Sequence, residues 1–157
     1  MVRLRVLLVE MALLVLAVVA AAPKADQTQP VTARPSSEST CPITQPVQAT
    51  PPNDPNAAPF GTGRWYINVD RSMWAIAGQW VGGPKGNKVL WIRPQDTNLT
   101  VSAHRLDGDD ATPFRADIPC CYPTGFQATK IYFPTSGCWE VTATAGRSAL
   151  RFVTKVS

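Results

Sequence analysis

The chain has 157 residues, of which 45% are hydrophobic and only 17% charged, with a formal charge of +4, and this balance excludes a disordered, highly charged protein. Fifteen prolines and ten glycines leave little room for long helices, and the single histidine, His104, excludes a His-rich metal site. Any Ser-His-Asp or Cys-His mechanism would have to use that one side chain.

Residues 1–21 read as a signal peptide. Arg3 and Arg5 precede an apolar run over 11–22, about 12 residues, which suits a signal-peptide core and falls short of the ~20 needed to span a bilayer. Val19-Ala20-Ala21 supplies small or branched side chains for cleavage before Ala22. The alternative is an uncleaved anchor over 6–22, at the cost of placing Glu10 in lipid, and membrane association is expected only in that case. Cleavage removes two positive charges and one negative, leaving a mature chain at +3. Its cations are scattered, with no dense basic run to track phosphates, so nucleic acid is not an expected partner.

Residues 22–59 read as a disordered tether. Nine prolines stand between positions 23 and 59 among Ser, Thr, Gln and Ala, a composition too poor in large apolar groups to offset its ordering entropy. Cys41-Pro42-Ile43 breaks the pattern and marks a point where the tether touches the domain. All five tryptophans, three tyrosines and five phenylalanines lie at or after position 60, so 60–157 is the folded domain, about 98 residues, the size of a small β-sandwich.

Within it, short runs rich in β-branched and aromatic residues are punctuated by Gly, Pro, Asn or Asp. Strands are predicted over 65–69, 73–77, 89–92, 99–106, 127–133, 138–144 and 149–156. Leu99, Val101 and Ala103 alternate with Thr100, Ser102 and His104, the period of a half-buried strand. Trp139, Val141 and Ala143 do the same, and Ala145-Gly146-Arg147 joins that run to the next as a short hairpin. Seven strands without a helical-period segment after residue 22 make an all-β chain, an antiparallel immunoglobulin-like sandwich.

The run Phe133-Pro134-Thr135-Ser136-Gly137-Cys138-Trp139-Glu140-Val141, with Cys41-Pro42-Ile43-Thr44 upstream and Arg105-Leu106-Asp107 between, resembles a family of small exported bacterial proteins. The resemblance covers about 41–157 and implies export and a β-sandwich; it implies no activity.

An exported chain with four cysteines is expected to oxidise them, and three pairings are open. Cys41 with Cys138 is preferred, since Cys41 is the one sticky point on the tether, Cys138 opens a strand, and the resemblance matches both positions. Cys120 and Cys121 are then left as a vicinal bridge, as two quiet loop thiols, or as a thiol-redox or soft-metal site. They lack the further ligands of a zinc site.

No catalytic residue and no cofactor are assigned. His104 alternates away from the apolar face and has no Gly-x-Ser-x-Gly elbow to serve. Residues 82–88 look superficially phosphate-binding but lack P-loop spacing and read as a turn, and Asp107-Gly108-Asp109-Asp110 reads as a charged turn rather than a calcium loop. Asn98-Leu99-Thr100 fits a glycosylation sequon that the bacterial resemblance leaves unmodified. Trp65, Tyr66, Trp74, Trp80 and Trp91 are the one binding hint, and two readings are open: core of the sandwich, or an exposed aromatic face for a glycan or partner protein. The chain is therefore expected to be a non-catalytic binding or structural module of the cell envelope. The alternative is an extracytoplasmic thiol-redox or metal-handling protein using Cys120 and Cys121.

Overall fold

The computed structural model describes residues 40–53, 61–109, 112–120 and 122–157. The signal or anchor segment and the first part of the tether lie outside them. The described residues form nine strands and no helix: β1 (Val47–Ala49), β2 (Gly63–Ile67), β3 (Trp74–Ile76), β4 (Asn87–Ile92), β5 (Leu99–Arg105), β6 (Arg115–Asp117), β7 (Phe126–Tyr132), β8 (Gly137–Ala145) and β9 (Ser148–Val156).

They assemble into a six-stranded sheet, β1-β2-β3-β4-β7-β6, and a three-stranded sheet, β5-β8-β9, with every strand pair antiparallel. The order β3-β4-β7-β6 opposite β5-β8-β9 is the A-B-E-D and C-F-G order of a constant-type immunoglobulin sandwich. β1 and β2 extend the first sheet beyond its β3 edge.

Each of the seven predicted strands is present, with ends shifted by a few residues. Two strands were not predicted. β6 is three residues long and carries two charges, so nothing in its local pattern announces a strand; it forms because Ala116 pairs with Ile131 on β7. β1 corrects the tether assignment of 22–59: Val47 pairs with Trp65 and Ala49 with Gly63, so part of the proline-rich stretch belongs to the sandwich. Composition alone missed this because the order comes from the edge of β2, not from the segment's own side chains.

The core follows from period-2 alternation. On β4 the buried positions are Asn87, Val89 and Trp91, and their register partners Ile131, Thr129 and Gln127 on β7 are buried too. On β8 and β9, Trp139, Val141, Ala143, Leu150, Phe152 and Val156 face inward. Aromatic rings cross between the layers: Tyr66 stacks on Phe152 at 4.0 Å, Trp80 contacts Phe152 and Phe133, and Phe133 contacts Trp139. At the predicted hairpin, β8 turns into β9 through Gly146-Arg147, with Gly146 at φ +59° as the first position of a type II′ turn demands.

The N-terminal arm is fastened to the second sheet. Cys41 is bonded to Cys138, the second residue of β8, with Cα atoms 5.5 Å apart. Cys138 shares the parity of Glu140 and Thr142, on the outer face of its sheet, yet is 1% exposed, because the arm lies over it. Three residues on, Thr44 engages Val153: its N–H donates to the Val153 carbonyl and its Oγ1 accepts from the Val153 N–H, both at 2.9 Å. The arm thus runs from the outer face of one sheet, past the β9 edge, to the β1 position in the other.

This arrangement makes two deletions behave differently. Removing residues 22–39 should leave the β circular-dichroism signal and thermal midpoint unchanged, whereas removing 22–59 strips the arm and β1 and should lower the midpoint clearly. Cys41→Ser should cost about 4–5 kcal/mol in urea denaturation, the chain-entropy value for a loop closed over 97 residues. An unchanged midpoint in the longer deletion would place the arm outside the fold.

Candidate functional site

Burial decides between the two readings of the aromatic cluster and rules out the exposed face. Trp65 is 2% exposed, Tyr66 5%, Trp74 1%, Trp80 5% and Trp91 0%, so these rings are core rather than a platform. Tyr66, Trp80 and Trp91 point between the sheets, and the Trp91 indole N–H donates to Thr129 Oγ1 at 2.9 Å. Trp65 and Trp74 pack edge to face, 6.1 Å apart, with the Arg71 guanidinium over the Trp74 ring. His104 sits where its alternation places it, on the exposed face of β5, with Nε2 3.7 Å from Glu140 on the neighbouring strand. Residues 82–86 form the predicted turn, closed by Asn87, whose side chain bonds both the N–H and the carbonyl of Val81 at 2.9 Å.

Cys120 is disulfide-bonded, and Cys121 lies outside the described residues. The flanks of the pair are held by two buried side chains that sequence reasoning missed. Gln127 donates from Nε2 to the Pro119 carbonyl at 2.8 Å, and Arg93 donates from Nη2 to the Tyr122 carbonyl at 3.0 Å. The two are joined by Arg93 Nε to Gln127 Oε1 at 2.7 Å, and Arg93 Nη1 reaches the Pro94 carbonyl and Thr97. Burial pushes the Arg93 pKa down, opposed by the charge of Asp96. The guanidinium remains ionised and spends its donors on carbonyl and hydroxyl oxygens. The available signal was that 87, 89, 91 and 93 continue one alternation, so Arg93 had to face inward.

The three segments that carry the resemblance meet at the start of β8. Arg105 Nε donates to Asp107 Oδ1 at 2.7 Å, the Leu106 N–H donates to the Cys138 carbonyl, and Lys155 Nζ lies 3.9 Å from Asp107 Oδ2. Gly137 must be glycine: its φ is +147°, and a Cβ there would lie 2.7 Å from Arg105 Nε and 2.8 Å from Asp107 Oδ1. Asp107 is therefore an ion-pair partner rather than the start of a calcium loop. Among the described residues no three His, Cys, Asp or Glu side chains converge to hold a metal ion.

A cleft of about 610 Å³ opens at the side where the two sheets part, roofed by the arm. Ile43, Gln45 and Pro46 come from the arm, Arg64 and Tyr66 from β2, and 77–80 from the segment that leaves β3. That segment crosses to the second sheet, where Trp80 bridges to Val156 in parallel. Thr154, Lys155 and Ser157 close the far wall. No Asp or Glu lines this cleft, whereas two cations do.

The edge of β9 that faces away from β8 is covered in part. The Ala149 carbonyl accepts from Asn68, both backbone groups of Val153 go to Thr44, and Ser157 exchanges bonds with Trp80 and Gly82. Since 149, 153 and 157 face away from β8, so does 155. The Trp80–Val156 bridge sets the Trp80 N–H against the Lys155 carbonyl, so the Lys155 N–H is the backbone group left toward the cleft that Lys155 lines.

No family model, curated protein or solved structure matches this chain. The site therefore rests on its geometry: a cationic cleft between arm and sandwich, and a rigid Arg93–Gln127 brace around Cys120.

The Asp107 cluster yields a pH prediction. The hydrogen bond from Arg105 comes first among the causes holding the Asp107 carboxyl below its ordinary 3.8, followed by a backbone bond at Cys138 and, last, the charge of Lys155. A depressed carboxyl binds its proton more weakly in the folded than in the unfolded chain. Its stabilisation is therefore complete above pH 3.8 and is lost as pH falls below that value. Asp107→Asn should be less stable than wild type at pH 6, with the gap closing on acidification below pH 3.8 in denaturant melts. A gap that stays constant with pH would remove the electrostatic account.

Proposed function

We propose that this protein is an exported module of the cell envelope that binds an envelope glycan or protein through the cleft under its arm. The observation that carries the reading is the cleft itself. Its volume lies in the range of small-molecule and side-chain pockets, and it combines a few unsatisfied polar groups with apolar wall. Export is supported by the N-terminal segment and by the buried Cys41–Cys138 bond, which suits an oxidising compartment.

Gly78 offers a direct test, since it lines the cleft and a Cβ at this position meets no atom within 4 Å. Gly78→Phe should fill the opening and leave the fold intact. The protein should fractionate outside the cytoplasm with Cys41 oxidised, and sediment with purified envelope. Gly78→Phe should lose that sedimentation while keeping its thermal midpoint. Reduced protein in the cytoplasm, or sedimentation indifferent to Gly78→Phe, would overturn the reading.

A second reading, a thiol-redox protein working through Cys120 and Cys121, is favoured by the brace that Arg93 and Gln127 place on either side of them. Its test is the reduction potential of the Cys120 disulfide. A value above about −200 mV supports redox exchange, and one below about −300 mV marks a structural bond and sinks it.

A further inference from the structure

We propose that the cleft is a site for a small organic carboxylate that carries an amide or hydroxyl group beside its charge; this names the ligand class for the binding reading above and rests on it.

Charge comes first. Arg64 has no carboxylate within ion-pair distance among the described residues, so its guanidinium faces the cleft uncompensated. Lys155 is the other cation there, and its ammonium is shared with Asp107 at 3.9 Å. The cleft therefore has room for about one negative charge. A carboxylate satisfies that requirement, and its two oxygens match the fork of an arginine. A phosphate dianion would bring a second charge that nothing in the cleft balances.

Two further groups ask for hydrogen bonds. Tyr66 is 5% exposed, its ring fixed against Phe152, and its hydroxyl has no hydrogen-bond partner among the described residues although the residue lines the cleft. The Lys155 backbone N–H presents a donor on the β9 edge that lines the cleft. A ligand whose carboxylate rests on Arg64 would satisfy these with a neighbouring amide or hydroxyl. The apolar remainder has Ile43, 44% exposed, and Pro46 to lie against. The contrast with the opposite end of the sandwich is informative: the buried Arg93 is already spent on Gln127, Pro94, Thr97 and Tyr122, and holds loops instead of a ligand.

Such a group could come from an acidic saccharide or from the end of a peptide. The test is a titration of the oxidised, exported protein, followed by ¹⁵N amide and indole shifts, with galacturonate, N-acetylglycine, neutral N-acetylglycinamide and inorganic phosphate. One carboxylate should shift Gly78, Gln79, Lys155 and the Trp80 indole saturably, and the tighter of the two names the source. N-acetylglycinamide and phosphate should bind at least about tenfold more weakly, and Arg64→Gln, an exposed substitution, should weaken the carboxylate about tenfold. Equal binding of the neutral amide, or indifference to Arg64→Gln, overturns the carboxylate assignment and leaves the cleft as a binding site. Failure of both carboxylates to shift the cleft also overturns it, and the binding reading then stands or falls separately on envelope sedimentation of Gly78→Phe.

Discussion

The Cys41–Cys138 bond closes 97 residues of chain and fastens the N-terminal arm to β8. Without it, the arm would have the three paired positions of β1 and the Thr44–Val153 pair to hold it against the entropy of a proline-rich segment. With it, Thr44 is delivered to Val153 and Val47 to Trp65, and the cleft acquires a roof. The residues around the bond depend on one another in turn. Gly137 admits Arg105, Arg105 fixes Asp107, and Asp107 draws Lys155 to the rim of the cleft.

That dependence gives a physical sense to the sequence segments that stand out. In Cys41-Pro42-Ile43-Thr44 the first residue makes the covalent link and the last one substitutes for a missing strand at Val153, while Ile43 between them is left partly exposed over the cleft. Arg105-Leu106-Asp107 and Gly137-Cys138 are two sides of one contact. Residues distant along the chain are constrained together because a single buried point, Cys138, sits beneath them all.

How much of this was legible depended on whether the information was local. Alternation exposed β5, β8 and β9, and the Gly146 hairpin, because each strand has one inward face and a turn with a steric requirement. β1 and β6 were invisible: three residues carry no period, and both exist through partners, Val47 through Trp65 and Ala116 through Ile131. The tryptophans stayed open between core and surface because composition does not say which face of a strand a ring occupies. Arg93 was readable in principle as the next inward position after Trp91, but a charge at that place looks like surface until its carbonyl partners are seen. The cleft was beyond reach, since Ile43, Arg64, Gly78 and Lys155 come from four separate segments.

The disulfide also decides how the domain would respond to force. A pull on the chain N-terminal to the arm meets Cys41 before it meets β1, and Cys41 is bonded into β8, which lies between β5 and β9. Tension is thus delivered through a covalent bond to the middle strand of a sheet, and the three-residue β1 is shielded from being peeled away one hydrogen bond at a time. In a reducing medium the same pull would act on β1 and Thr44 alone. Attached by its N-terminal side, the oxidised domain would pass that load to β8, which β5 and β9 hold along both edges.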